Sequence, residues 1–330
     1  MTHLLSLADL TDSELRAIVD RAREFRLASA RPAAVLDGAV VGCYFRETST
    51  RTRTAFSSGA LRLGGRVVAF GPHDLQTNTG ETVEDTAQVL SRMLDILVTR
   101  TADQAELEAL ADQDRMSVVN AMSADEHPTQ ALADLATLSC RGPIDGLRLL
   151  YVGEGNSTAA ALALALTRFE GVHLELRTPR GYGLSDPVLA RAGQQARRHS
   201  STLVERHDMT DMPAGVDVIY STRWQTTGTA KPDPGWRQLF APFRIDARLW
   251  ERSPRALFMH DLPANREVEV ASDVLDGPAS IVFEQAENKM YSAMAVLEWC
   301  WAGRPRPATV VPLPAPAVDD MAVLAAPAVP

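Results

Sequence analysis

The chain has 330 residues, of which 45% are hydrophobic and 23% charged, a composition typical of a globular protein with about two domains. Its formal net charge is -9 at pH 7, so neither a nucleic-acid partner nor an anionic membrane surface is expected. The longest apolar run, residues 159–166, is too short to span a bilayer, and the N-terminal segment lacks the basic start of a signal peptide. These features favour a cytoplasmic protein.

In chain order, strand-like and helix-like segments alternate from residue 11 onward. Thr11 and Glu14 form a capping box at the start of the first helix, and apolar residues follow with helical spacing. Predicted strands cover residues 39–45, 66–71, 95–100, 116–121, 147–155, 172–178, 217–224 and 256–263. Predicted helices cover residues 11–28, 57–64, 81–93, 102–112, 127–138, 157–169, 186–198 and 286–301. This alternation predicts an α/β fold with parallel sheets.

The alternation pauses at residues 141–146, where the sequence reads RGPIDG, and then restarts. We therefore expect two doubly wound parallel-sheet domains, residues 1–142 and 143–284, linked by helices. A C-terminal helix at 285–302 is expected to return to the first domain. The tail, 303–330, is rich in proline and alanine and is expected to be disordered.

Polar clusters follow six of the predicted strands at their carboxyl ends. Ligands of open parallel sheets bind beyond these ends, so the clusters are expected to form one composite site. They lie at residues 49–53, 100, 127–130, 154–157, 221–225 and 260–263.

The first cluster, STRTR at 49–53, places three hydroxyl side chains and two arginines where a strand ends and a helix begins. A helix N-terminus offers unpaired N–H groups and a positive dipole end, which suit an anion. Arg51 adds a planar fork that matches phosphate oxygens. Arg53 is expected to face away and to form a structural ion pair. The alternative is a capped helix with solvated arginines.

Arg100 and the pair His127 and Gln130 extend this interpretation. Arg100 ends a strand and would be a second cation for the same anion. His127 precedes a helix that starts at Pro128, so it can donate to a carbonyl oxygen, while Gln130 can bind an amide. The alternatives are a surface charge at Arg100 and a helix-capping pair at His127 and Gln130.

The glycines of residues 153–155 resemble part of a dinucleotide-binding fingerprint after a strand. Thr158 stands where the third glycine is expected, so the signal is incomplete. A nucleotide-linked oxidoreductase is an alternative that this segment alone supports.

Four motifs together resemble the aspartate/ornithine carbamoyltransferase family: STRTR, EHPTQALADL, FMHDLP and GPASIVFEQAENKM, in the family's order and spacing. The resemblance covers roughly residues 3–302. It implies an N-terminal domain for carbamoyl phosphate, a following domain for an amino-acid acceptor, and a homotrimer with shared active sites. It also implies carbamoyl transfer without a metal or organic cofactor.

The resemblance assigns a role to each matching residue. Phosphate would be bound by Ser49, Thr50, Arg51 and Thr52, and by Gln76 lent from a neighbouring subunit. Arg100 would bridge phosphate and carbonyl oxygens, His127 would polarise the carbonyl, and Gln130 with the Leu262 backbone would hold the carbamoyl amide. Lys289 replaces the arginine usual in AENR and keeps the cation. Arg51, Arg100, His127 and Gln130 are the expected catalytic residues.

The acceptor end departs from the family's patterns. Ornithine enzymes carry Asp-x-Trp-x-Ser-Met-Gly, whose aspartate is here Thr222, and HCLP, whose cysteine is here Asp261. The segment STRWQ instead resembles the Thr-Arg-x-Gln of aspartate enzymes, which places Arg223 and Gln225 in the acceptor site. However, a loop lysine of those enzymes is replaced by Thr79. Asn156 matches an asparagine that contacts the acceptor in ornithine enzymes.

From these departures we expect an acceptor with a carboxylate for Arg223 and a second ammonium for Asp261. A shorter diamino acid such as 2,3-diaminopropionate, or a modified ornithine, in specialised metabolism would fit. The alternative is an ordinary ornithine carbamoyltransferase that makes citrulline. An alternative of another class is a catalytically silent paralogue that binds ligands or regulates.

Overall fold

Two all-parallel sheets organise the chain in a computed structural model that describes residues 1–226 and 229–303. The first sheet has the strand order β2-β1-β3-β4 and the second the order β7-β6-β5-β8-β9. The expected fold class, two doubly wound α/β units, is confirmed. The expected tail beyond residue 303 lies outside the described residues.

The first sheet is built from the N-terminal half of the chain. Its strands are β1 (Val40–Phe45), β2 (Arg66–Phe70), β3 (Ile96–Arg100) and β4 (Ser117–Met122). The helices of this half are α1 (Asp12–Leu27), α2 (Arg51–Arg62), α3 (Val83–Leu90), α4 (Gln104–Ala111) and α5 (Pro128–Ser139). Strands β1 and β3 are almost continuously buried, as expected for parallel strands covered on both faces.

The second sheet is built from the C-terminal half. Its strands are β5 (Arg148–Val152), β6 (His173–Arg177), β7 (Thr202–Arg206), β8 (Val218–Ser221) and β9 (Leu257–His260). The accompanying helices are α6 (Ser157–Leu166), α7 (Asp186–Arg198), α8 (Trp236–Phe240), α9 (Ser272–Leu275) and α10 (Val282–Ala302). The last predicted helix is therefore present, and it begins four residues earlier than the sequence pattern indicates.

Local chemistry explains two of the helix starts that matter for the site. The predicted capping box of α1 is confirmed: the Glu14 N–H donates to Thr11 Oγ1 (3.2 Å), and the Thr11 N–H donates to Glu14 Oε2 (2.8 Å). At α6, Asn156 Oδ1 accepts from the N–H groups of Thr158 (3.0 Å) and Ala159 (3.2 Å). The side chain of Asn156 is thereby held at the end of β5.

Helices α5, α6 and α10 connect the two halves. Helix α10 packs on α1, α2 and α5, and it also contacts β9 of the second sheet. Helix α5 packs on α6, and the His127 N–H donates to the Ser157 carbonyl (3.1 Å) where these helices begin. The carboxyl ends of both sheets therefore meet at one place. The division at residues 142 and 143 stays a prediction, since the first sheet ends at Met122 and the second begins at Arg148.

None of the helices in residues 1–226 and 229–303 is long and apolar enough to cross a membrane.

Candidate active site

A cavity of about 360 Å³ lies where the carboxyl ends of the two sheets meet. Every site residue expected from the sequence lines it except Gln76 and Gln225. Five lining residues were not expected: Thr48, Met122, Thr158, Thr226 and Pro263. The six polar clusters at strand ends thus do form one composite site, as the parallel topology predicts.

The amino-terminal end of α2 forms the anion-binding side of the cavity. No side chain caps this helix, so its first N–H groups remain available to a ligand. Arg51 and Arg100 both line the cavity, and the Arg100 Nη1 donates to the Thr48 carbonyl (3.1 Å). Burial lowers the pKa of each guanidinium, and for Arg100 the positive charge of Arg51 adds to this lowering. An anion placed between them would relieve both costs.

Arg53 faces away from this cavity, as expected, but not into an ion pair. Its guanidinium lies 5.4 Å from the centroid of the Phe45 ring, a cation–π arrangement. Among residues 1–226 and 229–303 there is no ion pair at Arg53, so that part of the expectation was wrong. Arg53 is therefore a neighbour of Arg51 with the same charge and a different environment.

Three buried side chains form the wall beside this anion-binding side. His127, Gln130 and Lys289 are 7%, 1% and 6% exposed, and the Lys289 ammonium donates to Gln130 Oε1. Burial lowers the pKa of His127 well below its usual value, and the charges of Lys289 and Arg100 lower it further. A neutral imidazole keeps one ring N–H, which suffices to donate to a carbonyl oxygen.

Lys289 lies among charges of both signs. Burial lowers its pKa to about 8, and the carboxylates of Asp134 and Asp261 oppose this lowering. The two carboxylates therefore favour the ammonium form of Lys289. The replacement of the family's arginine by lysine keeps a cation at this wall, but a compact one without the planar fork.

A chain of hydrogen bonds joins three of the five expected acceptor residues, Asn156, Thr222 and Asp261. Asn156 Nδ2 donates to Thr222 Oγ1 (3.2 Å), and Thr222 Oγ1 lies 3.1 Å from both carboxylate oxygens of Asp261. Thr158 Oγ1 donates to Asp261 Oδ2 (2.9 Å). These residues come from the ends of β5, β8 and β9. The Asp261 carboxylate therefore lies directly beside the position where ornithine enzymes carry their aspartate.

The Asp261 carboxylate accepts hydrogen bonds from the hydroxyl groups of Thr158 and Thr222. Within residues 1–226 and 229–303, the one basic nitrogen in ion-pair range is His260 Nδ1, at 3.4 Å. That nitrogen accepts the Leu262 N–H (2.8 Å), so it carries no proton to share with Asp261. The Asp261 side chain is largely buried, and its hydrogen bonds within the described residues come from hydroxyl groups, an environment that suits the ammonium group of a ligand.

Two expected residues lie elsewhere. Gln76 is exposed on a 3₁₀ turn, Gln76–Thr79, and its Oε1 accepts from Thr79 Oγ1 (2.7 Å). Gln225 Nε2 donates to the Thr229 carbonyl (2.7 Å), which turns the side chain along its own loop. Thr227, which replaces the methionine of the ornithine motif, and Gly228, which matches its glycine, lie outside the described residues. In the sequence, Thr158 stands where a dinucleotide-binding fingerprint has its third glycine. In the structure, Thr158 lines the cavity.

Comparison with known proteins gives the same family over both halves. The carbamoyl-phosphate-binding domain of the aspartate/ornithine carbamoyltransferases matches residues 2–139, and their aspartate/ornithine-binding domain matches residues 145–300. An ornithine carbamoyltransferase of Thermococcus kodakarensis is 37% identical over 304 residues, which are 91% of this chain and 96% of that protein. One from Parafrankia sp. is 38% identical over 305 residues, or 90% and 95% of the two chains.

Solved structures agree. The ornithine carbamoyltransferase of Pyrococcus furiosus superposes with a TM-score of 0.87 at 36% identity, over 92% of this chain and 98% of that one. That of Gloeobacter violaceus superposes with a TM-score of 0.81 at 34% identity, over 91% and 99%.

We expect Arg51→Ala to weaken the binding of carbamoyl phosphate by one to two decades, because a charge-assisted contact contributes about 1.5–3 kcal/mol. Calorimetric titration with carbamoyl phosphate and with inorganic phosphate would measure this. Arg53→Ala is the matched control, since it removes the same charge two residues away outside the cavity. Equal losses in both variants would contradict the role of Arg51.

Proposed function

The chain belongs to the aspartate/ornithine carbamoyltransferase family, and we propose that it transfers the carbamoyl group of carbamoyl phosphate to ornithine, forming citrulline and phosphate. The observation that carries the proposal is the single cavity in which Arg51, Arg100 and Lys289 face Asp261. A doubly charged phosphate suits the first group, and an ammonium suits the carboxylate. A ligand pair of these charges is what carbamoyl phosphate and a diamino acid supply.

The proposed reaction uses these groups for orientation and charge stabilisation. The unprotonated amine attacks the carbonyl carbon, and negative charge develops on the carbonyl oxygen. His127, Arg51 and Arg100 can stabilise this charge. The bond from carbon to the bridging oxygen then breaks, and phosphate leaves with the amine's proton. Holding both reactants in one cavity contributes most of the remaining acceleration.

The choice of ornithine rests on two supports. The similar proteins are named ornithine carbamoyltransferases, which favours this acceptor over the specialised amino acid expected from the motif departures. In addition, the carboxylate missing at Thr222 is present at Asp261, 3.1 Å from the Thr222 hydroxyl. The acceptor end therefore keeps one negative charge. Arg223 lines the same cavity and is the proposed partner of the acceptor carboxylate.

A second acceptor is favoured by the position of that carboxylate. Asp261 directly precedes Leu262, whose carbonyl is expected to hold the carbamoyl amide, so its charge lies near the reacting amine. This placement suits a diamino acid shorter than ornithine, such as 2,3-diaminopropionate, or an ornithine modified at its far end.

A homotrimer is also part of the proposal. Gln76 is exposed and lies outside the cavity of its own chain. The expected contact between Gln76 and phosphate therefore requires a second copy of the chain, as in a closed symmetric assembly.

Phosphate release from carbamoyl phosphate, measured with a panel of amines and with mass detection of the product, is the direct test. We expect ornithine to give the highest kcat/KM. A higher kcat/KM with 2,3-diaminopropionate than with ornithine would favour the second acceptor. Binding of carbamoyl phosphate without transfer to any amine would refute the enzymatic proposal and favour the silent paralogue.

We expect Asp261→Asn to lower kcat/KM for the acceptor by roughly ten- to hundredfold, because a charge-assisted contact is lost, and to change the affinity for inorganic phosphate far less. The double variant Thr222→Asp with Asp261→Cys restores the family's pattern and should recover ornithine turnover. Asp276→Asn, which removes an exposed carboxylate outside the cavity, is the control variant. Full activity of Asp261→Asn would show that the carboxylate has no part in acceptor binding.

Mixed assemblies test the shared site. Arg51→Ala and Gln76→Ala are each expected to be nearly inactive. After joint refolding, roughly a quarter of the sites in random trimers should combine an intact Arg51 with an intact Gln76 from its neighbour. Recovered activity at that level is the expected result. Mixtures no more active than the separate variants would place Gln76 outside the catalytic site.

A further inference from the structure

A buried carboxylate lies behind the cavity without lining it. Asp134 is 0% exposed and follows Gln130 by one helical turn on α5. It accepts three hydrogen bonds: from Gln130 Nε2 (2.8 Å) and Gln285 Nε2 (2.7 Å) to Oδ1, and from the Tyr220 hydroxyl (3.0 Å) to Oδ2. The donors come from the first half, from α10 and from β8. The matched sequence motifs gave no role to Asp134, Gln285 or Tyr220.

The carboxylate decides which way the Gln130 amide points. An ionised carboxylate only accepts hydrogen bonds, so Gln130 must turn its NH2 group to Asp134. Its Oε1 then faces Lys289, which donates to it, and the cavity. The reverse orientation would place two oxygen acceptors against each other and the NH2 group against an ammonium. A carbonyl oxygen has two lone pairs, so Gln130 Oε1 can still accept one N–H from a ligand.

Gln285 extends the hydrogen-bond network of Asp134 to the opposite side of the cavity. While its Nε2 donates to Asp134, its Oε1 accepts the His260 N–H (2.9 Å). His260 Nδ1 in turn accepts the Leu262 N–H (2.8 Å), which holds the backbone of the next lining residue. Leu262 has a positive φ of 52°, a conformation that needs such support in a residue with a side chain. One network therefore reaches both groups that are expected to hold the carbamoyl amide.

We propose that Asp134 and Gln285 are positioning residues that make the site select a carbamoyl group over an acyl group of the same shape. The inference rests on the proposed function, which places the carbamoyl NH2 between Gln130 and the Leu262 carbonyl. Both groups then present oxygen atoms, and the NH2 supplies one N–H to each. Acetyl phosphate carries a methyl group there, so both acceptors would remain unpaired. A site built to bind N–H groups rejects an analogue that lacks them.

The test compares carbamoyl phosphate with acetyl phosphate in Asp134→Asn. The asparagine keeps one acceptor oxygen for three donors, so its NH2 group can face Gln130. The lost charge also lowers the pKa of Lys289, whose neutral amine can accept from the Gln130 NH2. Gln130 can then rotate and present its own NH2 to the cavity. We expect the affinity for carbamoyl phosphate to fall by about tenfold or more relative to the affinity for acetyl phosphate, measured as an inhibitor. Loss of the Asp134 charge also acts on Lys289, but through the phosphate group that both ligands share, so this effect cancels in the ratio of the two affinities. Inorganic phosphate measures the shared effect alone.

Tyr220→Phe is the matched control, since it removes one donor from Asp134 without changing what Gln130 faces. In Tyr220→Phe, the ratio of the affinities for carbamoyl phosphate and acetyl phosphate should stay near that of the unmodified protein. Gln285→Met has a similar volume but loses the three side-chain hydrogen bonds of Gln285, with Asp134, the Tyr220 hydroxyl and the His260 N–H. It supplies the same expected fall in the affinity ratio if Asp134→Asn does not fold. Thermal melting identifies a variant that does not fold.

The outcomes separate this inference from the proposed function. Suppose that the unmodified protein transfers carbamoyl groups, but that Asp134→Asn and Gln285→Met keep its ratio of affinities for carbamoyl phosphate and acetyl phosphate. The positioning role is then refuted. An equal loss of affinity for carbamoyl, acetyl and inorganic phosphate refutes it too, because a merely structural residue would act in that way. If the unmodified protein binds no carbamoyl phosphate, the proposed function itself fails.

Discussion

Mutual repulsion between three cations in one cavity is the constraint around which this structure is arranged. Arg51, Arg100 and Lys289 come from three separate parts of a chain whose net charge is -9. Each has its pKa lowered chiefly by burial, and Lys289 reaches about 8. Two carboxylates, Asp134 and Asp261, oppose that lowering at Lys289 from behind and across the cavity. The cavity therefore keeps an excess of positive charge. This excess favours the binding of a multiply charged anion among the three cations.

Helix α10 carries much of this arrangement because it belongs to both halves of the molecule. Gln285 and Lys289 are one turn apart on it, and both are buried. The first holds Asp134 and the backbone of β9, and the second reaches Gln130. A shift of α10 against either sheet would therefore change the orientation of Gln130 and the local charge together. Under the proposed function, recognition of the reacting group would thus depend on the packing of the two halves.

Much of the fold and the cavity could be predicted because their signals are local. Strand runs, helix caps and polar residues at strand ends are each read within a few residues, and the parallel topology brings those ends together. The network of Asp134 could not be predicted in this way. Its hydrogen bond with Gln285 spans 151 positions, and each partner alone reads as an ordinary polar residue in a helix. The ion pair expected at Arg53 was wrong for a similar reason, because its guanidinium lies over the Phe45 ring and not beside a carboxylate.

The acceptor end shows how a family pattern can change while its charge is kept. Strands β8 and β9 are neighbours, and Ser221 pairs with His260 in their register. The next residues, Thr222 and Asp261, therefore lie side by side beyond the sheet edge, where a carboxylate can come from either strand. Under the proposed function, moving it from the first position to the second keeps one negative charge but displaces it toward Leu262, and with it the ammonium group of the acceptor. The proposal then makes the length of the acceptor, more than its charge, the property that this exchange alters.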